Sequence, residues 1–304
     1  MKRHNSSEII ESAHFTRIDR ILDYIHSNID QPLTVESLAE KSCWSRWQLQ
    51  RIFLQETKQT IAQYVREIKL SLAAEQLLLG KERVMDISLN YGFNSEISFT
   101  RAFKKLFNCS PTAYRKRGQR MGLKTPLIKA MPIHQAYEIK KRLLQIHFEH
   151  AESFHFYGVN KKIKGLFSKQ PNYTEVIPTI WHDMMEQTGL TPPFEQSVMG
   201  VVDTRNSESD DSIYWAGYKI TETERAALPK ENILEIPAQS YAIIPHTGIA
   251  VHLDRTLRWF FTDWLPQSQY EAAEGFDLEI YQAGFDHENN KSNMECWIPI
   301  KLRK

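Results

Sequence analysis

Apolar residues recur at helical spacing through roughly the first 118 positions and then give way to short aromatic and β-branched runs. Phe15, Ile18, Ile21, Leu22, Ile25 and Ile29 trace one helical face, which Asp30-Gln31-Pro32 interrupts. Thr34, with Glu36 and Ser37 close behind, opens the next helix. From Thr60 to Leu79 a longer stretch carries Ile61, Tyr64, Val65, Ile68, Leu72 and Leu79 with no Pro or Gly before Gly80, which predicts a rigid rod. Ser110-Pro111 starts a further helix, on which Tyr114 is expected to pack inward.

Within this helical half two segments are versions of each other. Ser45-Arg-Trp-Gln-Leu-Gln-Arg-Ile-Phe53 and Ser95-Glu-Ile-Ser-Phe-Thr-Arg-Ala-Phe103 each open on a capping Ser and close on Arg-x-Phe, fifty positions apart. Each follows a short helix and a turn, Thr34–Ser42 and Met85–Gly92. The layout is two helix-turn-helix units in tandem, suited to two neighbouring major grooves of DNA.

The second half changes period. Residues 154–158, 197–202, 213–218, 241–244, 276–281 and 294–298 read as strands, and Tyr173–Thr188 and His252–Trp264 as helices. The order strand, helix, strands occurs twice, which predicts an α+β domain with an internal duplication. Pro, Gly and basic residues between the halves place a transition at 119–149, leaving domains at 10–118 and 150–304.

Composition narrows the classes. Of 304 residues 41% are apolar and 25% charged, ordinary for a globular chain, and no apolar run reaches membrane-spanning length. Met1-Lys-Arg-His lacks an apolar stretch behind it, so secretion is not expected and a cytoplasmic location is. Cys43, Cys109 and Cys296 are scattered and His246 and His252 have no ligand spacing, so neither disulfide, metal nor cofactor is expected. The net charge of +1 hides an asymmetry: residues 1–125 hold 20 Lys and Arg against 13 Asp and Glu, the remainder 18 against 24. A basic helical half joined to an acidic half points to a nucleic-acid surface coupled to something else.

On the first paired helix, Trp47, Gln50 and Arg51 share a face with Arg46 nearby; on the second, Ser95, Glu96, Ile97, Thr100 and Arg101 occupy comparable places. Arg can chelate guanine, Gln can pair with adenine, and an apolar group can meet a thymine methyl. Leu49, Ile52, Phe53, Phe99 and Phe103 are the expected inward anchors. Arg66, Lys69, Lys104, Lys105 and Arg115 are candidates for phosphate contacts, which supply affinity and salt dependence.

Trp47-Gln-Leu-Gln-Arg-Ile-Phe53, Tyr64–Leu70, Asp86-Ile-Ser-Leu-Asn-Tyr-Gly-Phe93 and Phe99–Phe107 with Ser110-Pro111 and Tyr114 resemble the AraC/XylS family, in particular its MarA–SoxS–Rob group. The resemblance implies a seven-helix domain whose two recognition helices enter successive major grooves, with Trp47, Gln50 and Arg51 in the first and Thr100 and Arg101 in the second. Where that group often shows Gln-Gln, this chain has Glu96-Ile97, which shifts the expected weight of the second helix towards the backbone. In the acidic half, Ile236–Gly248, Trp264-Leu-Pro266, Phe276–Tyr281 and Trp297–Lys301 resemble the GyrI-like effector-binding domain. That resemblance implies two pseudo-symmetric strand-helix-strand-strand units with a cleft for amphipathic or cationic aromatic compounds. Trp215, Tyr218, Trp259 and Tyr281 are the expected aromatic walls and Glu279 the expected carboxylate, with Glu295 its rival. The expected partners are double-stranded promoter DNA, a small amphipathic or cationic ligand and RNA polymerase, with no membrane. Two alternatives remain open from sequence: a small-molecule hydrolase in the same cleft, and a cleft that binds a partner protein.

Overall fold

The structure is a computed structural model describing residues 18–42, 44–130, 142–205, 211–247, 253–286 and 293–303. Phe15, Cys43 and His252 lie outside the described residues. The chain divides into two compact units at His147 and Phe148. Among the described residues no helix is long and apolar enough to cross a membrane.

The first unit is helical. Helix α1 is described over residues 18–27, followed by α2 (Val35–Ser42), α3 (Arg46–Thr57), α4 (Ile61–Leu79), α5 (Val84–Asn90), α6 (Glu96–Phe107) and α7 (Pro111–Arg117). Ile18, Ile21, Leu22 and Ile25 close against Leu38, Leu49, Phe53, Ile61, Tyr64 and Ile68 in a first core. A second forms around Phe99, Phe103, Phe107 and Tyr114, whose rings follow one another at 4.4–5.5 Å between centroids. Helix α4 carries buried residues along its whole length, from Ile61 to Leu77, because it packs on both halves.

The fifty-residue repeat extends beyond α3 and α6. Ser45 and Ser95 cap α3 and α6, Lys58 and Asn108 end them in the left-handed conformation (φ 61° and 54°), and Thr60 and Ser110 cap α4 and α7. Tyr64 and Tyr114, at equivalent places, are both buried. Residues beyond α7 stay with this unit. The backbone N–H groups of Lys124, in β1 (Leu123–Lys124), and of Leu127 donate to Ser71 Oγ and Tyr64 Oη. A short hairpin follows, β2 (Ile128–Ala130) with β3 (Arg142–Leu144).

The second unit holds β4 (His147–Ala151, beginning at the division), β5 (Phe154–Lys164), α8 (Tyr173–Thr188), β6 (Val198–Asp203), β7 (Asp211–Ile220), α9 (Glu222–Ala227), β8 (Ile233–Ile236) and β9 (Gln239–Thr247). It continues with α10 (Leu253–Trp259), a π-helical turn at Phe260–Trp264, α11 (Leu265–Gln267), β10 (Tyr270–Ala272), β11 (Phe276–Tyr281) and β12 (Asn293–Leu302). The six strands at its heart lie in the order β9-β12-β11-β6-β7-β5, all antiparallel. Each half of that order is one β-α-β-β repeat, β5-α8-β6-β7 and β9-α10-β11-β12, and the two meet at the β6–β11 pair. The duplication expected from the element order is therefore present, and its midline falls on β11, between Phe276 and Tyr281.

Strand alternation separates two faces. Phe156, Val201, Tyr241, Ile243, Phe276 and Leu278 form an apolar cluster on one. The intervening residues Tyr214, Gly200, Asp277, Glu279 and Tyr281 face the side on which α8 lies, as the contact of Trp181 with Tyr214 shows.

Candidate nucleic-acid interface and ligand cavity

Helix α3 starts where Ser45 accepts a hydrogen bond from the Gln48 backbone and Gln48 Oε1 accepts one from the Ser45 N–H, a reciprocal cap. Leu49 and Phe53 turn inward and are fully buried, which forces Trp47, Gln50 and Arg51 outward. Trp47 is 65% exposed, an unusual placement for indole unless something covers it. The Arg51 guanidinium lies over its ring at 5.1 Å. Arg46 is exposed but paired to Glu36 of α2 at 2.9 Å.

Helix α6 repeats the arrangement. Ser95 accepts from the Ser98 N–H, Phe99 and Phe103 are buried, and Glu96, Ile97 and Arg101 are exposed, with Thr100 half-buried. Ile97, 76% exposed, is the most exposed of the large apolar side chains described. Arg66, Lys104 and Lys105 are also exposed. Two expected phosphate contacts are corrected. Lys69 is buried and its ammonium donates to the Gln31 carbonyl at 3.0 Å, so its charge stabilises the turn after α1. Arg115 donates to the carbonyls of Leu77 and Glu82, tying α7 to the end of α4.

In the second unit α8, α10 and the midline strands enclose a cavity of about 780 Å³, within the usual range for small-molecule sites. Its wall is mostly apolar and aromatic, with Phe167, Tyr173, Trp181, Phe194, Phe261 and Phe285 prominent. No Lys, Arg or His is among the described residues lining it. Three acidic residues line it, Asp277 and Glu279 of β11 and Asp254 of α10.

Glu279 is held by two phenols: the Tyr214 and Tyr281 hydroxyls donate to the same oxygen, Oε2, at 2.7 and 2.8 Å. Trp181 Nε1 donates to Tyr214 Oη, so the indole orients the first phenol. The other Glu279 oxygen accepts no hydrogen bond from the described residues, and Glu279 lines the cavity. Burial raises the Glu279 carboxyl above the ordinary carboxylate range, although the two tyrosine bonds pull against that rise. Gly200, opposite Glu279 on β6, admits this arrangement because a Cβ there would strike the Tyr214 hydroxyl and the Glu279 carboxylate.

Of the expected effector residues, Glu279 and Tyr281 line the cavity. Three do not. Trp215 is on the opposite sheet face, against the Phe156–Val201–Phe276 cluster. Tyr218 shares the cavity face but packs against Tyr157, further along β7. Trp259 is buried in α10, outside the wall. Glu295 also lies on the opposite face, where its Oε2 accepts from Trp297 Nε1 at 3.0 Å. The missed residues are Trp181, Tyr214, Asp277 and the cavity phenylalanines. Asp277 was within reach, because a strand that turns Glu279 and Tyr281 inward turns residue 277 inward too. Tyr214 was not: only the pairing of β7 shows which of Tyr214 and Trp215 faces α8.

The two units thus define a DNA-binding regulator with a separate small-molecule domain. A helix-turn-helix domain profile matches residues 38–117, and the profile of the GyrI-like small molecule binding domain matches residues 144–301. The chain belongs to the AraC-type transcription regulators that carry a GyrI-like domain. It is similar over nearly its whole length to the transcriptional regulator Rob of Salmonella typhimurium (strain LT2), 25% identical over 295 residues, 93% of this chain and 97% of that one. Its first unit is similar to the regulatory protein SoxS of the same organism, 37% identical over 105 residues (34% of this chain, 98% of SoxS). It is also similar to the multiple antibiotic resistance protein MarA, 39% identical over 98 residues (32% and 77%).

Proposed function

We propose that this regulator is controlled by an aromatic, cationic or amphipathic small molecule held in the cavity between α8 and α10. The observation that carries the reading is Glu279, fixed by Tyr214 and Tyr281 through one oxygen in a mostly apolar, aromatic cavity whose described lining includes no Lys, Arg or His. A buried carboxylate in such a place is costly until a positive charge meets it, and aromatic rings stabilise the same charge through their faces.

On the DNA side, Trp47, Gln50 and Arg51 of α3 choose sequence, with Arg46 exchanging its Glu36 partner for DNA. Ser95, Glu96, Thr100 and Arg101 of α6 take the second groove, and Arg66, Lys104 and Lys105 hold phosphates. Ligand is bound and released unchanged rather than turned over, consistent with relatives that are regulators. The chain works in the cytoplasm, and RNA polymerase is the protein partner that a promoter-bound regulator acts on.

The test has two arms. The full chain, without DNA, is titrated with the fluorescent monocation ethidium; Glu279→Gln should weaken binding at least tenfold with little change in melting temperature. DNA selected from a random pool is then bound with and without benzyltriphenylphosphonium, a non-planar cation that does not intercalate, and the affinity should change. Ethidium affinity indifferent to Glu279 would overturn the cavity reading.

A further inference from the structure

Asp277 is a second, differently built carboxylate in the same chamber. It lies two residues before Glu279 on β11, on the same face, so the Cα atoms are about 7 Å apart. Glu279 stands opposite Gly200 and Asp277 opposite Val202, which carries Asp277 towards the Thr204 and Ser212 end of the cavity. Asp277 is half-buried, and it lines the cavity. Unlike Glu279, it receives no hydrogen bond from any described residue. Beside Asp254 of α10, the chamber therefore holds one β11 carboxylate half-satisfied by phenols and another that accepts no hydrogen bond, and no described lysine or arginine lines the wall to offset either.

A single positive charge on Glu279 leaves Asp277 half-buried and uncompensated. Given the effector role of the cavity, on which this step depends, we propose that Asp277 is a second cation subsite and that the preferred ligand is an aromatic dication with charges about 5–7 Å apart. The aromatic body lies among Trp181, Phe194, Tyr281 and Phe285, one charge meets the free Glu279 oxygen and the other meets Asp277.

Ethidium and propidium test this directly. They share one fluorescent ring system, and propidium adds a second cationic centre on a three-carbon tail. Titrated into the full chain at about pH 8, where Asp277 is ionised, propidium should bind at least tenfold tighter. Asp277→Asn should abolish that advantage, and Glu279→Gln should weaken both dyes. At about pH 6 the wild-type advantage should shrink, because Asp277 then holds a proton. Propidium binding no tighter than ethidium, or an advantage that survives in Asp277→Asn, would overturn the second subsite while a Glu279-dependent ethidium affinity keeps the effector role. Failure of both dyes to bind would overturn both.

Discussion

The Arg51 guanidinium sits 5.1 Å from the centre of the Trp47 ring, one turn along the same exposed face of α3. A cation held over an indole loses rotamer freedom before it meets DNA, so part of the ordering cost of a base contact is met in advance. Arg51→Ala should therefore cost about 1–3 kcal/mol of specific binding and relax preference at one base position. Trp47→Ala should lose part of the same preference, because it frees the arginine. Competition binding against sites varied one base at a time distinguishes this from a uniform loss, which would mean a phosphate role.

With α3 and α6 as the proposed base readers, Ile97 should give α6 a different vocabulary from α3. Its apolar side chain stands in the first turn, 76% exposed, where a recognition helix comes closest to base edges. The only apolar group a major groove offers is the thymine methyl. Replacing thymine by uracil at single positions of the second half-site should weaken wild-type binding at one of them and leave Ile97→Ala unaffected there. A wild-type affinity insensitive to every such methyl would sink the idea.

Lys69 and Arg66 look interchangeable in sequence and should part company in a salt titration. Arg66 is exposed, and Arg66→Ala should lower the slope of log affinity against log salt by about one. Lys69 donates to Gln31 in the interior. Lys69→Ala should leave the slope alone and cost about 1–3 kcal/mol of stability in thermal unfolding.

Asp277 also sets a pH dependence. Burial and the neighbouring Glu279 push its carboxyl up to about 7 from an ordinary 3.8. The native state then holds a proton that the unfolded chain has released, so this group's contribution to stability falls as pH rises from about 4 to about 7 and is level above that. Asp277→Asn should flatten that part of the melting-temperature profile and raise stability most above pH ~7. An unchanged difference between variant and wild type across this window would show that the carboxyl titrates normally.

Much of the helical unit was legible because its determinants are local. Caps, turn residues and buried anchors all sit within a few positions of what they control, and the fifty-residue repeat states them twice. Tyr173–Thr188 is helical over the span its sequence predicts, ending at Gly189 in the left-handed conformation. Lys69 misled because it lies among the polar positions of α4, and only its fold-back onto residue 31 shows the charge turned inward.

The second unit shows where sequence alone stops. The chain by itself determined the two helix-turn-helix units, the duplicated β-α-β-β order and the alternation that puts the Glu279 carboxylate on one face of β11 with Asp277 and Tyr281, since these follow from spacing along the chain. Tertiary structure decided which aromatics meet that carboxylate. Trp215 and Tyr214 are chain neighbours on opposite faces of one sheet, and strand pairing with the docking of α8 selects the tyrosine. A period of two fixes alternation along a strand but not its absolute face, which depends on partners dozens of residues away.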